Sequence, residues 1–480
     1  MRNRSLVVSG LLVMLLLAGC AVGPDYRAPQ PAAPKAFSEV LDHHAFDASA
    51  ERQFWGGFGD PLLADLIQQT LRANRNLGVA LAHYQRASAL LGGAERERWP
   101  SVTASAGATR GHLAEAERTP PGSDDAHLES YQAGIAAHWE LDLFGRLRRA
   151  TEARRAQLQA SGADLDALKV ALVGELAANY FSLRGLQQRL AVAQRSVDNL
   201  QQALAIIEAR VDAGRGTAFD VVRAKAQLNR VRATIPELRA QARIRMHHLA
   251  VLTGQVPTAL VATLSQARPL PASVPVVPLG TPGELLRRRP DIRAAERRLA
   301  AATANIGVAT ADLFPHFSLG GLLGSVVGGS DDLFTGAAES SRVTLGIDWS
   351  FLDYGKVRAR IDAAGADAQA ALAGYQQTVL EALEETENRL VRYHRGQVRS
   401  NDLHAATREA QQAAQLAQQR YRAGLIGYYE VLAAERDLID IRDQWIESRT
   451  TVVVGMVNLY RALAGAPRLA GEHSQADGGV

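Results

Sequence analysis

Few residues in this chain could do covalent chemistry. One thiol, Cys20, stands in 480 residues, so no disulfide can form within the chain and no cysteine-based zinc cluster exists. Two adjacent histidine pairs, His43-His44 and His247-His248, have no further ligand at useful spacing and read as surface residues. No GxSxG, HExxH or GxxxxGK[ST] pattern occurs, so the sequence offers no nucleophile elbow, zinc helix or phosphate loop. Gly320–Gly329 is glycine-rich but belongs to a strand-and-loop stretch. Only four methionines occur, two of them Met1 and Met14, which gives no thioether set for soft metals. The expectation is a protein that is not an enzyme and holds no cofactor or metal.

The remaining chemistry is done to the chain. Arg2 and Arg4 precede an apolar stretch, Leu6 to Leu17, and then Leu17-Ala18-Gly19-Cys20. This has the outline of a secretory signal peptide. Its end resembles the bacterial lipobox, after which the cysteine is acylated and becomes the mature N-terminus; the alternative is an ordinary signal with an incidental cysteine. Ala21 stands where an inner-membrane retention signal would have Asp, so that sorting rule implies the outer membrane. Acyl chains contribute about 0.8 kcal/mol per buried CH₂, and several together anchor firmly. After Cys20 no apolar run reaches 18 residues. An outer-membrane chain of this kind must cross as a closed β-barrel or lie on the surface.

The elements that follow are written twice. Trp139-Glu-Leu-Asp-Leu-Phe-Gly145 and Trp349-Ser-Phe-Leu-Asp-Tyr-Gly355 lie 210 residues apart, as do Arg210-Val-Asp-Ala-Gly214 and Arg420-Tyr-Arg-Ala-Gly424, Phe219 and Tyr429, and Glu175 and Glu385. Trp99-Pro100 matches Phe314-Pro315 at an offset of 215. The expected organisation is a signal peptide at 1–19, a lipidated extended segment at 20–60 and a first repeat at 61–256. A linker at 257–283, too proline-rich for a helix, leads to a second repeat at 284–466 and a flexible tail at 467–480.

No proline falls between Pro121 and Pro236 or between Pro315 and Pro467. Within those windows 146–212 and 356–422 have helix-forming composition, about 100 Å each as continuous helices, which suggests a coiled coil or helical tube rather than a globular core. Leu190, Ala193, Val197, Leu200, Leu204, Ile207 and Val211 step by threes and fours, and Val221, Ala224, Leu228, Val231, Ile235 and Leu238 do the same beyond Gly214. Val431, Ala434, Leu438, Ile441 and Trp445 continue this in the second repeat, whose outgoing seam carries smaller residues. A plain amphipathic helix on a globular core is the alternative. Pro236 is expected to interrupt and kink the first return helix.

Ahead of each long helix the period changes to two. Over 131–143, Tyr131, Ile135, Trp139, Leu141 and Leu143 face one way and Gln132, His138, Glu140 and Asp142 the other; Val343, Leu345, Ile347, Trp349 and Phe351 repeat this over 343–351. Partner strands are expected near 101–109 and 316–323, across polar loops at 111–129 and 325–341. Strands of this length with one apolar face match transmembrane β-strands. Four cannot close a barrel, so spanning strands would require several chains to share one. Two hairpins covering a soluble helical domain are the alternative. The charge balance, 53 Lys and Arg against 50 Asp and Glu, argues against nucleic-acid binding.

These residues resemble the outer-membrane efflux channels of the TolC and OprM type, and within them the NodT-like lipoprotein branch. Cys20-Ala-Val-Gly-Pro-Asp-Tyr26 looks like that branch's mature N-terminus, and Phe54-Trp55-Gly-Gly-Phe58-Gly-Asp60-Pro61-Leu62 like its lead-in to the first helix. The resemblance implies a fold that is mainly α with transmembrane β. In it a homotrimer forms a 12-stranded outer-membrane β-barrel on a 12-helix periplasmic α-barrel. Continuous helices at 146–212 and 356–422 would be joined by shorter ones near 61–98, 217–254, 284–313 and 427–465.

It also implies a passive exit duct for small molecules in a tripartite efflux pump. The partners would be outer-membrane lipid, a periplasmic adaptor docking at the Gly214 and Gly424 turns, and an inner-membrane transporter. By the same resemblance, Asp220 and Tyr421 fall on partners of a polar link that closes the periplasmic tip, and Glu430 on an acidic ring. Ile426 stands where some members have a linking Arg and Ala433 where many have a second ring Asp, which implies a gate held more weakly, or by Arg215 or Arg422 instead. The smaller-sided second hairpin is the expected mover. Two other readings remain: a lipid-anchored periplasmic coiled-coil scaffold and a type I protein-secretion exit channel.

Overall fold

The computed structural model describes residues 21–30, 33–38, 54–114, 116, 127–271, 275, 281–328 and 332–463. The signal segment, Cys20 and the 467–480 tail lie outside them. The elements are α1 (Pro61–Ala73), α2 (Arg75–Arg96), β1 (Ser101–His112), β2 (His127–Leu141), α3 (Arg146–Asp212), α4 (Ala218–Leu252), α5 (Val261–Ser265), α6 (Pro282–Arg288), α7 (Pro290–Ala311), β3 (His316–Val327), β4 (Glu339–Asp348), α8 (Tyr354–Arg422) and α9 (Tyr428–Ala462). Two compact units result. One takes residues 1–30, 83–162 and 294–376; the other takes 31–82, 163–293 and 377–480.

The first unit holds a four-stranded antiparallel sheet in the order β1-β2-β3-β4. The central β2–β3 pair joins the two repeats, with Trp139 opposite Leu319 and Ile135 opposite Leu323. Here Gly134 and Gly324 face each other so closely that a Cβ on Gly324 would lie 2.9 Å from the Gly134 Cα. Each strand begins or ends a few residues outward of the expected range. On its helix side β2 stops at Leu141: the Asp142 carboxylate accepts from the backbone N–H of Leu147 (3.0 Å) and Arg148 (2.9 Å), so residues 142–143 serve the start of α3 instead of the ladder. Trp139 and Trp349 occupy matching places. Their indole N–H groups donate to the carbonyls of Arg98 and Leu313, each at 3.0 Å.

In the same unit the chain after Cys20 is fastened at the strand–helix junction. The Val22 N–H donates to the Phe144 carbonyl at 3.1 Å. Arg149, its side chain only 6% exposed, donates to the Val22 carbonyl at 3.2 Å and to Asp25 at 2.6 Å. Tyr26 donates to Glu296. Gly145 makes this fit possible: its φ is +81° and a Cβ there would sit 2.6 Å from that of Ala21. Gly355, its counterpart, has nothing within 4 Å.

The second unit carries the larger apolar core, built from α1, α3, α4, α5, α6, α8 and α9 around Leu176, Tyr180, Leu249, Leu390 and Val457. The aromatic lead-in belongs to it: Phe54 stacks on Tyr460 at 3.7 Å and meets Phe58 edge-on at 5.4 Å. Asp60 caps α1 by accepting from the Leu62 N–H at 3.0 Å, accepts from the Tyr180 hydroxyl and pairs with Arg268 at 2.9 Å.

Several expectations are corrected. The segment 61–98 is two helices, broken at Asn74, whose side chain accepts from Asn76 N–H (2.9 Å) and donates to the Leu252 carbonyl (2.9 Å). The segment 284–313 is also two helices, broken at Arg289, where the following Pro290 drives the backbone to an extended ψ of 122°. These breaks lie 215 residues apart, so they belong to the repeat although different residues cause them. The linker carries the one-turn helix α5 between Pro257 and Pro269. Helix α4 is not interrupted at Pro236 but runs through it.

Candidate functional site

The candidate site is the turn end of the two helical hairpins, α3–α4 and α8–α9, within the second unit. Both turns are the same structure. Gly214 and Gly424 have φ of +70° and +73°, the left-handed region that glycine enters without a Cβ penalty. The Arg215 N–H bonds the Arg210 carbonyl at 2.8 Å, and the Leu425 N–H bonds the Arg420 carbonyl at 2.9 Å. Each closes its helix in a Schellman turn. The return helices start differently. Thr217 and Asp220 form a capping box, with the Thr217 Oγ1 donating to the Asp220 carboxylate at 2.7 Å. Gly427 caps α9 with no side chain, leaving Glu430 exposed in its first turn.

Within one chain Asp220 is therefore engaged with Thr217 and not with Tyr421. Tyr421 instead lies under the Arg210 guanidinium, 4.5 Å from the ring centre, and edge-on to Tyr428 at 5.5 Å. Ile426 packs with Tyr421 against the apolar cluster of Leu200, Ile207, Leu228, Tyr428 and Val431. Where the sequence departs from a linking arginine, the position supplies apolar contact.

The contacts that join one hairpin to the other come mostly from residues that periodicity did not single out. Arg223 lies over Tyr429 at 4.2 Å and over Phe219 at 5.3 Å, two aromatics in matching repeat positions. Arg230 meets both oxygens of Asp440 at 2.9 Å, again a matching pair of positions. Arg189 meets Asp443 through two bonds of 2.8 Å; the hydrogen bonds to that carboxylate, then its charge, raise the guanidinium pKa against the lowering effect of burial. A hollow of about 430 Å³ lies among these pairs beside Thr234 and Glu237. Part-exposed ion pairs contribute about 0.2–1 kcal/mol each and exposed cation–π contacts about 0.5–1 kcal/mol. The signal for these residues lay in charge of opposite sign at equivalent positions, Arg230 and Asp440, which a single-hairpin seam analysis passes over.

One acid at this end is partly buried and shifted. Glu435 accepts from Gln418 at 2.7 Å, and desolvation raises its pKa. Nearby, the Tyr428 hydroxyl is buried with no hydrogen-bond partner; burial, then the Glu435 charge, pushes its pKa up as well. Because the folded state holds the Glu435 proton more tightly than the unfolded state, this acid favours folding most at low pH. Its contribution is lost as pH rises through the raised value. Glu435→Gln is expected to flatten that dependence and raise the neutral-pH unfolding midpoint, read by thermal unfolding between pH 4 and 8. A pH dependence identical to that of the parent would refute it.

Other sites offer less chemistry. His248 pairs with Glu175 at 2.8 Å, whereas Glu385, the counterpart of Glu175, takes Arg289 at 3.1 Å and Arg461 at 3.2 Å. Among the described residues no group of three or more metal-ligating side chains comes together, and no helix is long and apolar enough to cross a membrane.

Comparison with known proteins agrees with this architecture. The outer membrane efflux protein family matches residues 66–255 and 281–465, the two repeats in turn. Nodulation protein T of Rhizobium leguminosarum bv. trifolii is 31% identical, over 88% of this chain and 90% of its own length. The toluene efflux pump outer membrane protein TtgI of Pseudomonas putida is 30% identical over 95% and 97%. The solved outer-membrane channel OprN superposes with a TM-score of 0.86 at 42% identity, covering 93% of this chain and 99% of that one. With both repeats matched and the whole helix-rich fold shared, the chain belongs to the outer membrane efflux protein family.

Proposed function

We propose that this protein is the outer-membrane exit duct of a tripartite efflux pump, working as a homotrimer in which each chain gives four strands to one 12-stranded barrel. The observation that carries the reading is the sheet itself. Its β1 and β4 edges have no partner within the sheet, and one face bears Val102, Ile135, Leu323, Val343, Leu345 and Ile347, all more than half exposed. In lipid, open edges are not tolerated and apolar exposure costs nothing. Three copies joined β4 to β1 remove both problems at once. The indoles of Trp139 and Trp349, apolar with one polar group fixed to a helix end, suit the periplasmic membrane interface.

Acylation at Cys20 completes the attachment. Ala21 and Val22, the described residues that follow it in sequence, are fastened beside Phe144 and Gly145. The periplasmic adaptor docks at the Gly214 and Gly424 turns, and an inner-membrane transporter supplies the energy. The cargo class is small toxic organic compounds, by analogy with the relative named for toluene efflux. A heat-modifiable trimer extracted from outer membranes, labelled by palmitate in the parent and unlabelled in Cys20→Ser, is the expected result. A soluble monomer after removal of the lipid would instead support a periplasmic scaffold.

Asp220, Tyr421 and Glu430 are proposed to act at the closed end, Asp220 and Tyr421 across neighbouring hairpins. Asp220→Ala and Tyr421→Phe are each expected to raise single-channel conductance in planar bilayers severalfold. Unchanged conductance in both would remove these residues from the gate.

A further inference from the structure

We infer that residues 334–336, ahead of β4, build with the sheet a binding site for one acyl chain of an outer-leaflet lipid, on the membrane side of the sheet. The site is a hollow of about 660 Å³. Its floor is a patch of small residues, Ala104, Ala106 and Ala133, on the face that also bears Ile135 and Leu323. Its wall is Phe334 with the next two residues, folded back over that face.

Three features point to a lipid. First, Phe334 is 77% exposed and has φ of +70°, the one described non-glycine residue in the left-handed region. A bulky residue holds that conformation only where its surroundings fix it. Here the Phe334 N–H donates to the Ser325 Oγ at 3.2 Å, and Ser325 is 4% exposed. An aromatic ring pinned outward in this way is unfavourable in water and favourable in hydrocarbon.

Second, the hollow is polar at one end and apolar at the other. Ser325 and its partner Glu339 lie toward the loop end of the hairpin, whereas Ile135 and Leu323 lie two residues further toward the helices. An amphiphile with its headgroup toward the cell exterior matches that gradient; a protein segment would bring backbone polar groups against the apolar end. Third, the floor is continuous with the exposed band of Val343, Leu345 and Ile347.

This rests on the reading that the apolar face meets the membrane, and the test separates the two. The full chain is reconstituted in phosphatidylcholine vesicles that contain a phosphatidylcholine with a photoactivatable diazirine in its acyl chain. Adduct positions are then mapped by peptide mass spectrometry. Peptides with Ala104–Ala106 and Phe334–Gly336 are expected to be labelled at least threefold more than Val343–Ile347. Phe334→Ser or Ala106→Leu should cut that excess to parity and leave the Val343–Ile347 labelling unchanged. Equal labelling of both regions in the parent, or an excess that survives both substitutions, overturns the proposal. No labelling at Val343–Ile347 either would overturn the membrane-face reading beneath it.

Discussion

Gly254→Ala is expected to destabilise the chain by about 3 kcal/mol, whereas Gly214→Ala costs about 1 kcal/mol. Both glycines have positive φ, +76° and +70°, so both substitutions carry the left-handed penalty. They differ in what a Cβ would meet. At Gly214 nothing lies within 4 Å; at Gly254 the carbonyl oxygen of Ala73 is 2.3 Å away and its carbon 2.9 Å away. That oxygen belongs to the end of α1, one residue before the Asn74 break, and the Asn74 amide is held by the Leu252 carbonyl. The end of α1 cannot retreat without giving up that bond. Chemical denaturation of the two variants beside the parent checks the difference. Equal losses in both would mean that the α1–α4 contact is soft.

Arg184→Ala is expected to cost about 4 kcal/mol, the range for removing one partner of a buried charged network. Arg184 is 1% exposed. It donates to Gln187 at 2.7 Å, to the Gln266 carbonyl at 2.8 Å and to the Tyr180 hydroxyl at 3.0 Å, and its guanidinium lies 4.6 Å from the centre of the Tyr180 ring. Tyr180 passes the interaction on to Asp60, and burial pushes the tyrosine pKa up to about 12. The counter-charge for a deeply buried arginine thus comes from the helix-capping aspartate through a tyrosine. Removing the arginine orphans three acceptors and leaves a void. Asp60→Asn keeps the cap on its one carbonyl oxygen but leaves the Tyr180 hydroxyl an amide N–H in place of its acceptor and removes the charge facing Arg184 and Arg268, and is expected to cost about 2 kcal/mol. A loss under about 1 kcal/mol for Arg184→Ala, measured by the same denaturation, would show that water replaces the guanidinium.

Much of the architecture was legible from local pattern. A break in proline spacing and a 3–4 apolar step are properties of one segment, so the long helices α3 and α8 could be read without their neighbours. The glycine turns were legible for the same reason, since a left-handed residue after a helix is a local requirement. Alternation placed the strands, but β2 stops at Leu141 because Asp142 serves a helix start, which periodicity cannot register. The breaks at Asn74 and Arg289 fell inside apparently continuous helical patterns. One depends on a side chain bonding a carbonyl 178 residues away; the other was signalled by Pro290.

The candidate site was less legible. Gly214, Gly424, Asp220, Tyr421 and Glu430 could be located on their elements, but Asp220 is held by its own helix start within the chain. Arg189, Arg223 and Arg230, which tie one hairpin to the other, were not singled out, and Arg210 stood out only as part of the repeat. A heptad seam describes how a hairpin packs on itself, and these arginines project from the flanks where the two hairpins meet.

The repeat was fixed by the sequence alone, because matching residues at a constant offset impose matching turns and strands wherever the chain lies. Its asymmetry was decided by the tertiary structure. Gly145 takes the N-terminal segment and Gly355 meets no described neighbour; Glu175 meets a histidine and Glu385 three arginines. Equivalent residues carry equal local propensities, but their partners come from segments that are not repeated.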